Sequence, residues 1–277
     1  MKKKNKAIYL LFLMPFVYFA TACFVVWLVK TSGIYPSGSD TMYHVYRGDY
    51  VYNAIKSGNW YPLYDPAWYN GVEILRYWSP FPAYVMAFCQ YLAGGSQFGA
   101  YLFYIGGVCF LGACVWPFIG RGFNRPYLGA FIGLLWFFMP NNLCAIFIEG
   151  NLARSLSMIF LPVFIYSVYK YLYNHKLRYI PLMVFTFLLM ELCHLGYAGM
   201  VAIAVIIYGI VYMIQKGRKK AVLDVVISMI FGFMLLGIWL VASLRGGITS
   251  LDNSENMANF FQNLWITINP FERLTRG

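Results

Sequence analysis

Residues 179–214 read YIPLMVFTFLLMELCHLGYAGMVAIAVIIYGIVYMI. A helix needs about 20 apolar residues to cross a bilayer, so this run is too long for one ordinary span. His175, Lys176 and Arg178 precede it, and Lys216, Arg218, Lys219 and Lys220 follow it. Short loops rich in Lys and Arg stay on the cytoplasmic side. Both clusters obey that rule only if the run is a hairpin, and its natural break is His194-Leu195-Gly196-Tyr197.

The other apolar runs take their direction from this hairpin. Segment 98–119 runs inward to Arg121 and Arg125, 127–147 returns outward to Glu149-Gly150-Asn151, 155–173 runs in again, and 221–244 goes out. At the front, Lys2, Lys3, Lys4 and Lys6 precede an apolar run over 7–29. A signal-peptide core has about 7–15 residues, so this longer run reads as an uncleaved anchor. Segment 80–93 is apolar but only about 20 Å long as a helix, against a hydrocarbon core of about 30 Å. It reads as a helix lying in the interface. Counted as a span, it would reverse every later loop.

The expectation is therefore an all-α polytopic protein of the cytoplasmic membrane with seven spans. They lie at about 7–29, 98–119, 127–147, 155–173, 179–194, 197–214 and 221–244. The amino terminus is inside, the carboxyl end of the chain is outside, and residues 30–97 form the first extracytoplasmic loop. A single membrane module covers 1–277, and the polar-aromatic stretch 260–271 reads as the start of a longer parent protein.

Composition agrees. The chain is 61% hydrophobic and 11% charged, whereas a soluble domain averages about 25% charged residues. The net charge of +11 is concentrated in short loops between apolar runs. Such a pattern is a topology signal and argues against nucleic acid as a partner. The six cysteines form no C-x-x-C, which argues against a zinc site or a disulfide framework.

The polar residues worth chemistry are few. In the first loop, 40–55 reads as an amphipathic helix, and Asp40, His44 and Arg47 fall at i, i+4 and i+7 on one face. In that pattern Asp40 would be a general base or metal ligand, His44 a second base or ligand, and Arg47 a phosphate clamp. A divalent metal ion on Asp40 and His44 is the one cofactor this spacing suits. The same spacing also suits Asp40 as a helix cap after Gly38-Ser39, with His44 and Arg47 on a solvated face. Glu149, Asn151 and Arg154 lie where a span meets the surface; Asn151 suits a cap, and Glu149 and Arg154 suit an ion pair or a substrate site. His194 and Glu191 sit near the hairpin break, where irregular backbone must be buried or line a cavity. Trp60, Tyr61, Tyr64, Trp68, Tyr69, Tyr77 and Trp78 suit an interfacial belt, with sugar stacking open to one or two of them.

Several of these stretches occur together in a known pattern. A basic-flanked first span is followed by G-x-D-x-x-x-H at 38–44, A-x-x-x-G-x-W-x-P at 54–62, Asn70-Gly71, S-P-x-P at 79–82, E-G-N-L-A at 149–153 and a late His194. This resembles bacterial membrane proteins described as 6-pyruvoyl-tetrahydropterin synthase-related and, more distantly, YfhO-like proteins. Both are similar to the GT-C superfamily of membrane glycosyltransferases. The resemblance implies a seven-span GT-C module with interfacial helices in its first outer loop. It implies a polyprenyl-phosphate-linked sugar as donor and an envelope glycan or lipid as acceptor. Asp40 would be the catalytic acidic residue, with His44 assisting; Arg47 or Arg154 would hold phosphate, and Glu149, Asn151 and His194 would line the cavity. Arg154 departs from the pattern, since related chains often carry an acidic residue there. A transporter or flippase of a polar or lipid-linked substrate, or a non-catalytic scaffold, would use the same topology.

Cysteine substitution and membrane-impermeant labelling check this topology. Position 150 is expected to label from outside the cell, and positions 123 and 218 only after permeabilisation. Labelling of 123 from outside would overturn the arrangement.

Overall fold

The computed structural model describes residues 2–243 apart from Ser37, Tyr69, Asn70 and Tyr77, with side chains from Phe12 onward. The stretch 260–271 and the expected outer carboxyl end therefore lie outside the described residues, as do two of the loop aromatics. Residues Met1–Leu236 form one compact unit and Gly237–Gly277 a second.

The described chain is helical. Its helices are α1 (Lys2–Ser32), α2 (Thr41–Lys56), α3 (Phe81–Leu92), α4 (Gln97–Gly122), α5 (Pro126–Leu135), α6 (Pro140–Leu143), α7 (Leu152–Asn174), α8 (Tyr179–Cys193), α9 (Leu195–Lys216) and α10 (Lys219–Ser243). Among the described residues no strand forms; one isolated antiparallel bridge joins Asp65 and Val72. Among the described residues six segments are long and apolar enough to span: Phe12–Ser32, Gln97–Gly122, Pro126–Ile148, Leu152–Asn174, Leu195–Lys216 and Lys219–Ser243. The run at 179–214 is a hairpin that breaks at His194, as its charge flanks require. Its first arm, α8, has 15 residues, about 22 Å of helix, and falls short of a full span. Helix α3 has 12 residues and is shorter still.

The segment expected as one span at 127–147 is broken. Helix α5 passes into a 3₁₀ turn at Trp136–Phe138, then α6, then a π-helical turn at Cys144–Ile148. Pro140 explains the first break: its ring disfavours helical backbone at the residue before it, and Met139 is extended at φ −63°, ψ 123°. The π turn carries one residue more per turn than an α-helix, a distortion often found at functional sites.

Besides a smaller cluster of Val51, Ile74, Leu75, Ala83 and Ala87 under α2 and α3, two apolar cores hold the helices. One includes Tyr18, Tyr101, Ile105, Ala145 and Leu152, and the other Phe164, Met183, Met190 and Ala198. In hydrocarbon, polar groups must be paired internally. Accordingly Tyr18 Oη donates to the Ala130 carbonyl at 2.8 Å and Tyr104 Oη to that of Leu152 at 2.9 Å. Helices α4 and α5 touch backbone to backbone: a Cβ at Gly120 would lie 2.6 Å from Gly129 Cα, and one at Gly129 would lie 2.4 Å from the Trp116 carbonyl. Small residues permit such approach where helices meet in membranes.

Charge separates the two ends of the bundle. At one end Lys170 Nζ donates to the Gly122 carbonyl at 2.6 Å, Tyr171 Oη to Asp224 at 2.6 Å, and Arg218 meets His175. The other end carries α2, α3, their loops, and the junctions preceding α7 and α9. Of the carboxylates in 12–243, only Asp224 lies at the basic end; the rest belong to the capped end or its loops.

Gly129→Leu should disrupt the α4–α5 contact, because backbone cannot step aside. Its thermal midpoint in detergent should fall clearly below that of Gly199→Leu, where a Cβ meets nothing within 4 Å.

Candidate functional site

One joint between the capped end and the bundle is Asp40. Its N–H donates to the Glu149 carbonyl at 3.1 Å, and the Ser39 hydroxyl reaches the same oxygen at 3.1 Å. Gly150 has φ +67°, a region open to glycine at little cost. A Cβ there would fall 2.1 Å from Thr41 Oγ1 and 2.7 Å from Thr41 N. The close approach of 38–41 to 149–150 is thus possible only with glycine at this position.

Asp40 occupies the cap position of α2, but its side chain makes no capping bond. A carboxylate at a cap ordinarily accepts from the first-turn N–H groups. Here it receives the Ser39 hydroxyl at 3.2 Å and faces a cavity of about 520 Å³. Ser39, Tyr43, Trp68, Val72, Ile74 and Trp78 complete the lining. Tyr43 stands edge-on to Trp68 at 5.1 Å and to Trp78 at 6.1 Å. The loop bearing Trp68 is closed by the Asp65–Val72 bridge. Asp65 is 2% exposed, accepts Tyr46 Oη at 2.5 Å and Ala67 N–H at 2.9 Å, and so holds the loop.

His44 and Arg47 do not lie on a solvated face. Arg47 is 1% exposed and its Nη2 donates to the carbonyls of Trp78 at 3.1 Å and Ser79 at 3.4 Å. Its guanidinium lies 5.4 Å from the Tyr43 ring centre. Burial pushes its pKa down from the usual arginine value. Arg47 anchors the backbone that presents Trp78. His44 is 8% exposed. Burial, then Arg47, then His194 push its pKa down to about 3, so its ring is neutral near pH 7.

A second polar cluster lies where α7 and α9 begin. Glu149 pairs with Arg154 at 2.8 Å. Asn151 Oδ1 caps α7 by accepting Arg154 N–H at 2.9 Å, and His194 Nδ1 caps α9 by accepting Tyr197 N–H at 3.0 Å. These two caps determine the hydrogens. With Nδ1 accepting, a neutral His194 carries its proton on Nε2. That nitrogen lies 3.4 Å from Asn151 Nδ2, which is also a donor because Oδ1 is engaged. Two donors therefore face each other. Nearby, Arg154 Nε and Thr41 Oγ1 are buried with no partner among the described residues. Buried donors ordinarily find acceptors, so this cluster is suited to ligand oxygens. Burial lowers the pKa of His194 first; Arg154 lowers it further, whereas the Asp40 and Glu149 carboxylates oppose that shift. Those four residues therefore share one electrostatic neighbourhood.

Among the described residues no three His, Cys, Asp or Glu side chains converge as ligands. Asp40 faces the cavity, whereas His44 is enclosed beneath α2.

The sequence pattern missed Ser39, Thr41 and Tyr43. A signal existed: Tyr43 is three residues after Asp40, hence on the same helix face. Glu191 is buried at 2% exposure, its Oε2 has no partner among the described residues, and its carbonyl accepts the Ser79 hydroxyl at 3.0 Å.

Residues 75–277 match the 6-pyruvoyl-tetrahydropterin synthase related domain, a membrane protein family. The chain belongs to that family. The match includes Trp78, Glu149, Asn151, Arg154 and His194 and begins after Asp40. No curated protein and no solved structure matches the chain.

The buried His44 sets an expected pH response. Its folded pKa of about 3 lies below the ordinary 6.5, so the unfolded chain binds more protons between those values. Stability is complete above about pH 6.5 and falls as pH drops toward 3, by up to about 1.4 kcal/mol per pH unit. The thermal midpoint should drop between pH 7 and 5, and His44→Gln should flatten that slope.

Proposed function

We propose that this chain is a GT-C-type membrane glycosyltransferase, or the amino-terminal module of one. It transfers a sugar from a polyprenyl-phosphate donor to an extracytoplasmic glycan or lipid acceptor. The observation that carries the reading is the Asp40 cavity: a carboxylate not engaged in capping, walled by Trp68, Trp78 and Tyr43. Apolar sugar faces stack on aromatic rings, and a carboxylate beside them is placed to take a hydroxyl proton.

In this reading Asp40 accepts the proton of the attacking acceptor hydroxyl. The Asn151 amide, His194 Nε2–H and Arg154 offer donors to the phosphate oxygens as the sugar departs. Glu149 holds Arg154 in place. His44 stays neutral and packs beneath. The capped end faces outward because the opposite end carries the basic loops. A transporter reading draws on one specific feature, the interrupted segment Pro126–Ile148, since broken helices form many transport sites.

The test uses purified protein in detergent, full-length if the parent is longer, with radiolabelled polyprenyl-phosphate sugars and envelope acceptors. Transfer without a sealed membrane supports the enzyme. Uptake into sealed vesicles with no covalent product supports the transporter. Asp40→Asn should insert normally and lose activity by about 10²–10⁴-fold, the usual share of a general base. Wild-type activity in that variant would remove Asp40 from the chemistry.

A further inference from the structure

A second cavity, of about 870 Å³, runs along the outside of the bundle between α1, α3 and α4. Small-molecule sites commonly occupy about 300–1,000 Å³. Its walls are apolar, with Phe19 and Val26 from α1, Phe88 from α3, and Phe103 and Gly107 from α4. Lys30 and Ser96 also line it. Lys30 closes the last turn of α1 and Ser96 caps the start of α4, so both mark the capped end.

Length decides what fits. From Phe19 to Lys30, α1 rises about 17 Å, close to the roughly 15 Å of one leaflet of hydrocarbon. The groove therefore begins at the surface and stops near mid-bilayer. Its floor is open: a Cβ on Gly107 would meet nothing within 4 Å. Among the described residues Lys30 is in no ion pair. A cation at a membrane surface attracts an anionic headgroup.

We infer that this groove holds one acyl chain of an anionic phospholipid of the adjacent leaflet, with the headgroup phosphate on Lys30. The site is separate from the Asp40 cavity and does not depend on the transferase reading. The occupant is a resident lipid, set apart from the freely exchanging bilayer by walls on three helices and a fixed charge at the capped end.

Native mass spectrometry of the detergent-purified chain, titrated with phosphatidylglycerol or phosphatidylcholine, tests it. The wild type should retain phosphatidylglycerol about fivefold better, the effect of about 1 kcal/mol from one surface lysine. Lys30→Gln should erase that preference. Gly107→Leu should abolish retention of both lipids with an unchanged melting temperature, while Gly199→Leu, a lipid-facing leucine elsewhere, should retain them. Equal retention by wild type, Lys30→Gln and Gly107→Leu would overturn the inference. So would displacement of phosphatidylglycerol by an equal amount of polyprenyl phosphate, which would assign the groove to a different lipid. If Gly107→Leu does not fold, the Lys30→Gln result decides alone.

Discussion

The hydrogen bond from the Asp40 N–H to the Glu149 carbonyl is the point on which the arrangement of the capped end depends. It joins the first residue of an amphipathic helix to the irregular turn before α7. By itself such a bond contributes about 1 kcal/mol. Its importance lies in what it aligns. Asp40 is turned toward a cavity, and Glu149 is turned toward Arg154. Glycine at 38 and 150 lets the two segments approach closely enough for the bond to form. The Ser39 hydroxyl reaches the same carbonyl, so the joint has two donors on one oxygen.

Around that joint, each polar residue has a distinct task. Arg47 and Asp65 are committed to holding loops, through carbonyls in one case and through a tyrosine and an amide in the other. Asn151 and His194 cap two helices and, because their acceptor atoms are so used, expose only donors toward each other. Capping thus sets the chemistry of the cluster as well as the start of α7 and α9. Asp40 is the counterexample, a residue in the cap position whose carboxylate is left for the cavity.

Much of the fold was legible in the sequence because membrane topology is written in two coarse signals, apolar length and the placement of Lys and Arg. The hairpin at 179–214 and the short helix at 81–92 came from these alone. The break within 126–148 was not legible as such: Pro140 was visible, but whether a span tolerates a proline depends on the neighbours that satisfy its freed carbonyls. The site was half legible. Glu149, Asn151, Arg154 and His194 come together as their positions at span ends suggested. The i, i+4, i+7 pattern of Asp40, His44 and Arg47 left one question open, because sharing a helix face does not say whether that face meets water or protein. The carbonyls of Trp78 and Ser79 meet Arg47 there, and only tertiary contacts bring them to it.

The π turn at Cys144–Ile148 has a further consequence, in helical phase. Each residue added to a helix rotates the rest of the chain by about 100° about the helix axis. The extra residue in this turn therefore sets the angular position at which Glu149 leaves the bundle. Winding the same five residues as regular α-helix would swing Glu149 about a quarter turn away from Arg154 and the Asp40 N–H. The spacing of this one turn thus acts as the registration mark that brings the two halves of the polar cluster to the same side.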